Sequence, residues 1–172
     1  SLGIGVGFHR LLVHRSFKTP AWVEYSLTLL GCMALQGGPI TWVSVHRKHH
    51  RFAERPEDPH TPEQGLLQAH MGWMIRTDPE LRTPKTFWHY APDLCRSRFH
   101  RTMNRIWFLP TTFLGLIALS VSGWTTMLWA VAVPIVIGWH STWLVNSATH
   151  RWGSRRFETP DNSRNLWWVA VL

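Results

Sequence analysis

The chain is built from apolar and polar blocks that hardly mix. From Ile106 to His150 there is no Asp, Glu, Lys or Arg, a run of 45 residues. A membrane-spanning helix needs about 20 apolar residues. The run therefore predicts a transmembrane hairpin over 107–145: one span from about Trp107 to Leu119 and a second from about Trp124 to Val145. "SVSG" at 120–123 supplies the turn, with Gly123 as the breaker. Pro134 falls inside the second span, which membrane helices tolerate. Residues 1–8, "SLGIGVGF", read as the end of a membrane helix that delivers His9 to the interface. Residues 21–40 are apolar enough for a helix, bounded by Pro20 and by "GGP" at 37–39 and interrupted by Glu24. That helix is expected to dip into the membrane or pack on a cytosolic core. Residues 46–105 are polar, and six prolines from Pro56 to Pro92 cut them into loops and short helices. The predicted fold is all-α: an integral membrane helical bundle with a cytosolic helical cap. It forms one domain over 1–172, expected to be cut short at both ends, because no initiator Met is present and the first residues begin within an apolar segment.

Charge gives the pattern a direction. Residues 46–105 hold 11 Lys or Arg, and the positive-inside rule places them in the cytoplasm. Two spans return the chain to the side it left. His150 is then expected on the same face as His46, His49 and His50, and His9 and His14 can reach that face too. The net charge of +8 calls for an anionic partner. With 12 Trp and 45% hydrophobic residues, segregated along the chain, the composition argues against a plain nucleic-acid binder. Cys32 and Cys95 are far apart and form neither a CxxC nor a haem-attachment motif, so both are expected to be buried thiols.

The histidines carry the candidate chemistry. "VSVHRKHHRF" places His46, His49 and His50 at i, i+3, i+4. On a helix this spacing is expected to point all three within about 40° of one another. A basic surface patch would look similar in isolation. Asn146 and His150 are i, i+4 at the end of the second span. His9 and His14 are i, i+5, about 140° apart on a regular helix, so they can share a site only if the helix ends or unwinds between them. Neutral imidazole is the commonest protein metal ligand. Six imidazoles exceed one structural zinc site and suit two transition-metal ions. Spacing alone does not choose among iron, zinc, copper and nickel. His140, in "WHSTW", is expected to be a hydrogen-bonded span histidine. His89 and His100 are expected to be exposed or interfacial.

"GFHRLLVHRSF", "WVSVHRKHHRF", "DPHTPEQGLLQAHMGW" and "WLVNSATHRWG" together closely resemble the membrane-bound fatty acid desaturases, and more narrowly their Δ9 acyl-CoA and acyl-lipid branch. The resemblance covers nearly the whole chain, in order. It implies a non-haem di-iron enzyme that uses O₂ and two supplied electrons to place a cis double bond in a saturated acyl chain. It puts the family's first histidine box on His9 and His14 and the second on His46, His49 and His50. The NxxxH element falls on Asn146 and His150, with Asn146 holding an iron through water. A third HxxHH box, expected shortly afterwards, does not occur before Leu172. Asp58, His60 and His70 resemble family positions near the site and are expected to orient ligands. The implied setting is a bacterial membrane, the endoplasmic reticulum or a thylakoid, with the metals on the cytosolic side.

The residue types suit that chemistry. An unactivated methylene has no acidic proton and no leaving group, so acid–base or nucleophilic catalysis has nothing to act on. No Ser/His/Asp set or phosphate loop offers a rival. Trp139 and Trp143 share a stripe with Asn146 and His150 and are expected to line or support an acyl tunnel; interfacial Trp would show the same stripe. Arg98, Arg101 and Arg105 share a face just before the first span. They could hold the phosphate of a CoA or lipid headgroup, or simply anchor the cytosolic side. No haem, flavin or iron–sulfur motif occurs, so electrons are expected from a partner such as cytochrome b5 or ferredoxin, steered by the basic face. Two other readings share the histidine pattern: a sibling di-iron hydroxylase or monooxygenase, and a non-catalytic membrane metal-binding protein.

Overall fold

A computed structural model describes residues 2–53, 55–75, 78–158 and 162–171. Among them the ordered structure is helical, and the one β feature is an isolated bridge between Ser154 and Asn165. The chain divides into two compact units, residues 1–47 with 80–138 and residues 48–79 with 139–172.

In the first unit, a helix over Leu2–Val13 packs against a second over Ala21–Met33. Ile4, Phe8, Leu11 and Leu12 point inward and join Cys32, Ile40 and Val43 in one core. The approach is close enough to require glycine: a Cβ on Gly7 would stand 2.7 Å from the Leu27 carbonyl oxygen. The helix expected over 21–40 stops at Met33, and Pro39 opens a third helix, Pro39–Phe52. Proline suits that place because its missing N–H is unneeded in a first turn. The backbone N–H of Thr41, which has no partner inside the helix, donates to Asn104 Oδ1 at 2.9 Å. Cys32 and Cys95 are buried thiols, as expected.

Short helices over Pro84–Tyr90, Pro92–Arg96 and Arg98–Arg105 complete the polar part of this unit. They correct one expectation. His100 is 1% exposed rather than interfacial. Its ring lies beside the second helix, with Nε2 3.5 Å from Thr28 Oγ1 and 3.6 Å from Glu24 Oε1. Stacking of Phe99 on Tyr25, centroids 3.9 Å apart, clamps the same contact.

A helical run continues from Leu109 to Arg151, 43 residues long and apolar enough to cross a membrane. A straight helix of that length would span roughly 65 Å, about twice a hydrocarbon core. It is not straight. Gly123 has φ 74°, ψ −167°, outside the helical region and costly for any residue with a Cβ. The break falls where the sequence placed a turn. Farther on, Pro134 would clash in α-register with the carbonyl of Ala130. Ala130 lies inside a widened turn, Leu128–Ala132, with i→i+5 bonding. Phe113, Leu116, Val121 and Trp129 stand out from the run, each more than half exposed. Apolar surface of this extent suits contact with lipid.

In the second unit, the chain leaves the Pro39–Phe52 helix through turns that bury Asp58, His60 and Thr61. It then forms an i→i+5 turn at Gln68–Gly72. After Arg151 the chain pairs Ser154 with Asn165 and ends in a short helix, Trp167–Val171.

Candidate metal centre

His9 and His14 meet for a reason the sequence did not supply. The Leu2–Val13 helix is bonded i→i+5 throughout, ending with His14 N–H on the His9 carbonyl at 3.0 Å. This register stacks residues five apart, where an α-helix would hold them about 140° apart. The helix does not unwind between them; it is wider. The two Nε2 atoms lie 3.0 Å apart. His46 adds its ring to the same place, 4.9 Å from the His9 ring and 6.2 Å from the His14 ring. Trp42, one turn earlier, stacks on His46 at 4.7 Å and fixes its plane.

The three histidines of "HRKHH" do not point to one place, which corrects the 40° expectation. At ~100° per residue, His46 and His50 are ~40° apart, but His49 lies ~60° from His46 and ~100° from His50. His50 continues the His46 stripe. His49 turns toward residues 58–60. Its Nδ1 lies 2.9 Å from Asp58 Oδ1, and its ring is 3.9 Å from that of His60. One helix therefore feeds two groups of donors.

The second group has marked electrostatics. Burial pushes the Asp58 carboxyl upward, but the His49 hydrogen bond and the charges of His49 and His60 outweigh it, and the net shift is downward. Burial pushes the His60 imidazole down to about 3, with neighbouring His49 and His150 acting in the same direction against Asp58. His60 is thus held neutral with a lone pair available. Asp58 Oδ1 also accepts the His60 backbone N–H at 3.1 Å, so one carboxylate orders both rings.

Both groups fit a metal ion. The donor nitrogens of His9, His14 and His46 lie within 4.8 Å of one another, and so do the donor atoms of His49, Asp58 and His60. Two nitrogens ~2.1 Å from one ion stand roughly 3.4 Å apart in tetrahedral geometry, so small rotations complete the histidine set. Nitrogen-rich donors of this kind suit iron, zinc or copper over calcium or magnesium.

The family model for fatty acid desaturases matches residues 1–172. This chain belongs to the fatty acid desaturase family. It is 43% identical over 173 residues to an sn-2 palmitoyl-lipid 9-desaturase of Nostoc sp. (strain 36), an alignment covering 100% of the chain and 61% of that relative. It is 43% identical over 171 residues to an sn-1 stearoyl-lipid 9-desaturase of Anabaena variabilis, covering 99% and 62%. It is 41% identical over 174 residues to a chloroplastic palmitoyl-monogalactosyldiacylglycerol delta-7 desaturase of Arabidopsis thaliana, covering 99% and 46%. The chain thus spans about three-fifths or less of the length of these relatives. Membership also makes it membrane-associated, in keeping with the long apolar run.

The remaining expected residues fall in several places. Asn146 and His150 lie one turn apart on the Val133–Arg151 helix, both half-buried. His70 uses both ring nitrogens elsewhere: Nδ1 is 2.9 Å from Ser147 Oγ and Nε2 is 3.0 Å from His140 Nδ1. It therefore braces the helix that carries Asn146 and His150. His140 is hydrogen-bonded, as expected. Trp143 is 5% exposed and Trp139 half-buried, with ring centroids 5.7 Å apart. Arg98, Arg101 and Arg105 are exposed, and Arg101 donates to the Cys95 carbonyl at 2.6 Å. Sequence reasoning missed the His70–His140 pair and the partners of Arg15 and Arg47. A signal for the latter was present: an arginine directly follows His9, His14 and His46.

Proposed function

We propose that this protein is an O₂-dependent fatty acyl desaturase that places a cis double bond, at Δ9, in a saturated acyl chain carried on a lipid or CoA. The observation that carries the reading is the division of one histidine-bearing helix between two donor groups, in a chain whose relatives are acyl-lipid desaturases. Two groups suit two ions, and iron is the metal that fits both the donors and the reaction class.

In this reading His9, His14 and His46 serve one iron and His49 and His150 the other, with His50 a further ligand and Asn146 acting through water. An iron pair held there would supply O₂ activation: with two electrons and two protons, O₂ would take one hydrogen from each of two adjacent methylenes, leaving a double bond and two waters. The protein supplies position and dryness. Asp58 accepts a hydrogen bond from His49 Nδ1–H and so fixes the tautomer that leaves Nε2 for metal. Trp139 and Trp143 line the acyl path along the stripe that leads to Asn146. The uncharged run lies in the membrane, with the donors on the cytosolic side. The arginines at 98, 101 and 105 meet a lipid or CoA phosphate, and an acidic donor such as cytochrome b5 or ferredoxin brings electrons.

The test is product analysis. The full-length protein is expressed in a host lacking its own Δ9 desaturase, and the fatty acid methyl esters are analysed by gas chromatography with mass spectrometry. Monounsaturated palmitate or stearate derivatives support the reading. A hydroxylated chain would assign the protein to the sibling hydroxylases, and no product would overturn the catalytic reading.

A further inference from the structure

Arg47 directly follows His46, and its guanidinium is spent entirely on fixed partners. Nη1 donates to Asp93 Oδ1 at 2.7 Å and to the Tyr90 carbonyl at 2.9 Å. Nη2 donates to Asp93 Oδ2 at 3.1 Å and to the Leu12 carbonyl at 2.6 Å. The Leu12 carbonyl lies in the last turn of the Leu2–Val13 helix, where carbonyls have no partner of their own. The side chain next to one histidine box therefore caps the helix that carries the other.

Asp93 completes the bracket. Its Oδ2 also receives Arg15 Nη2 at 2.6 Å, and Arg15 directly follows His14. Arg15 has φ 50°, a left-handed backbone that turns the chain sharply after the helix. Such a conformation persists in a residue with a Cβ only where its surroundings hold it. One carboxylate, supplied by the polar segment between Tyr90 and Arg96, thus grips the arginine after His14 and the arginine after His46. The paired fork of Arg47 on Asp93 is the most directional ion pair available to a protein. His14, Arg15, His46, Arg47 and Asp93 all belong to the first compact unit.

We propose that Asp93 is a positioning residue for the metal centre: through Arg15 and Arg47 it sets the separation of His14 and His46. It touches neither metal nor substrate. The proposal rests on the metal-centre reading above. It adds a support that lies outside the histidine boxes, 46 residues along the chain from Arg47.

The test uses the full-length protein in detergent and reads metal rather than product. Asp93→Asn keeps the shape of the side chain and removes its charge. Asp93→Glu keeps the charge, and Arg47→Lys keeps the charge but loses the fork. His46→Ala serves as the reference for a lost ligand. Each variant is measured for iron per chain after a timed chelator challenge, for the visible spectrum of its cobalt(II) form, and for melting temperature without metal. The expected result is iron release roughly ten-fold or more faster in Asp93→Asn and in Arg47→Lys, with a changed cobalt spectrum and partial recovery in Asp93→Glu. If His46→Ala loses metal while Asp93→Asn and Arg47→Lys keep wild-type release and spectrum, the positioning role is wrong. If His46→Ala itself retains iron and spectrum unchanged, the metal-centre reading fails and this inference falls with it.

Discussion

His49 Nδ1 lies 2.9 Å from Asp58 Oδ1, and that contact ties one histidine of the central run to the turn that follows its helix. A neutral His49 that donates from Nδ1 carries its lone pair at Nε2. The same carboxylate orders His60 through its backbone N–H. Asp58→Asn should therefore leave the fold in place and weaken metal retention and desaturation by roughly 10- to 100-fold. Iron analysis and product chromatography on the same preparation check this. Unchanged values for both would show that the carboxylate is decorative.

The packing of the first helix makes a stability prediction. A Cβ on Gly7 meets backbone, the Leu27 carbonyl oxygen at 2.7 Å, and backbone has little room to move. Gly7→Ala should cost about 1–3 kcal/mol and displace His9, which follows two residues later. Thermal unfolding in detergent measures the loss, and iron content should fall in parallel. A substitution at Gly5, where nothing lies within 4 Å of an added Cβ, should change neither.

His100 makes a prediction about pH. Burial holds its imidazole down to about 4, from a usual 6.5 and against the opposing charge of Asp93. The ring is thus neutral in the folded protein, and the unfolded chain binds a proton that the fold refuses. Above about pH 6.5 this costs nothing. As pH falls from about 6.5 toward about 4, stability should drop by up to roughly 3 kcal/mol, and below that the loss should level off. His100→Gln should flatten the melting-temperature slope between pH 7 and 5. An unaltered slope would show that other groups set the acid sensitivity.

Much of this was legible in the sequence, and the gaps have physical causes. The uncharged run and Gly123 led to a two-span hairpin over 107–145; the structure has one helical run, Leu109–Arg151, with a backbone break at Gly123, because charge and backbone freedom are written residue by residue and helix continuity is not. The histidine boxes were visible through their spacing. Two features were not. The i→i+5 register of the first helix is a choice of hydrogen-bond partner, and composition does not encode it; angles on a regular helix therefore made the meeting of His9 and His14 depend on an unwound or ended helix. His100 was read as interfacial because a histidine among arginines looks solvated, whereas the Tyr25–Phe99 stack that covers it joins residues 74 apart. Sorting His46 and His50 from His49 required only the helical angles, applied pair by pair.

Iron stoichiometry of the full-length protein, purified anaerobically in detergent and measured by mass spectrometry against quantified chain, tests the central claim most directly. The account predicts two irons per chain, with loss of metal in His46→Ala and in His49→Ala, one from each donor group. Zinc in place of iron, a single ion per chain, or full iron retained in both variants would contradict it.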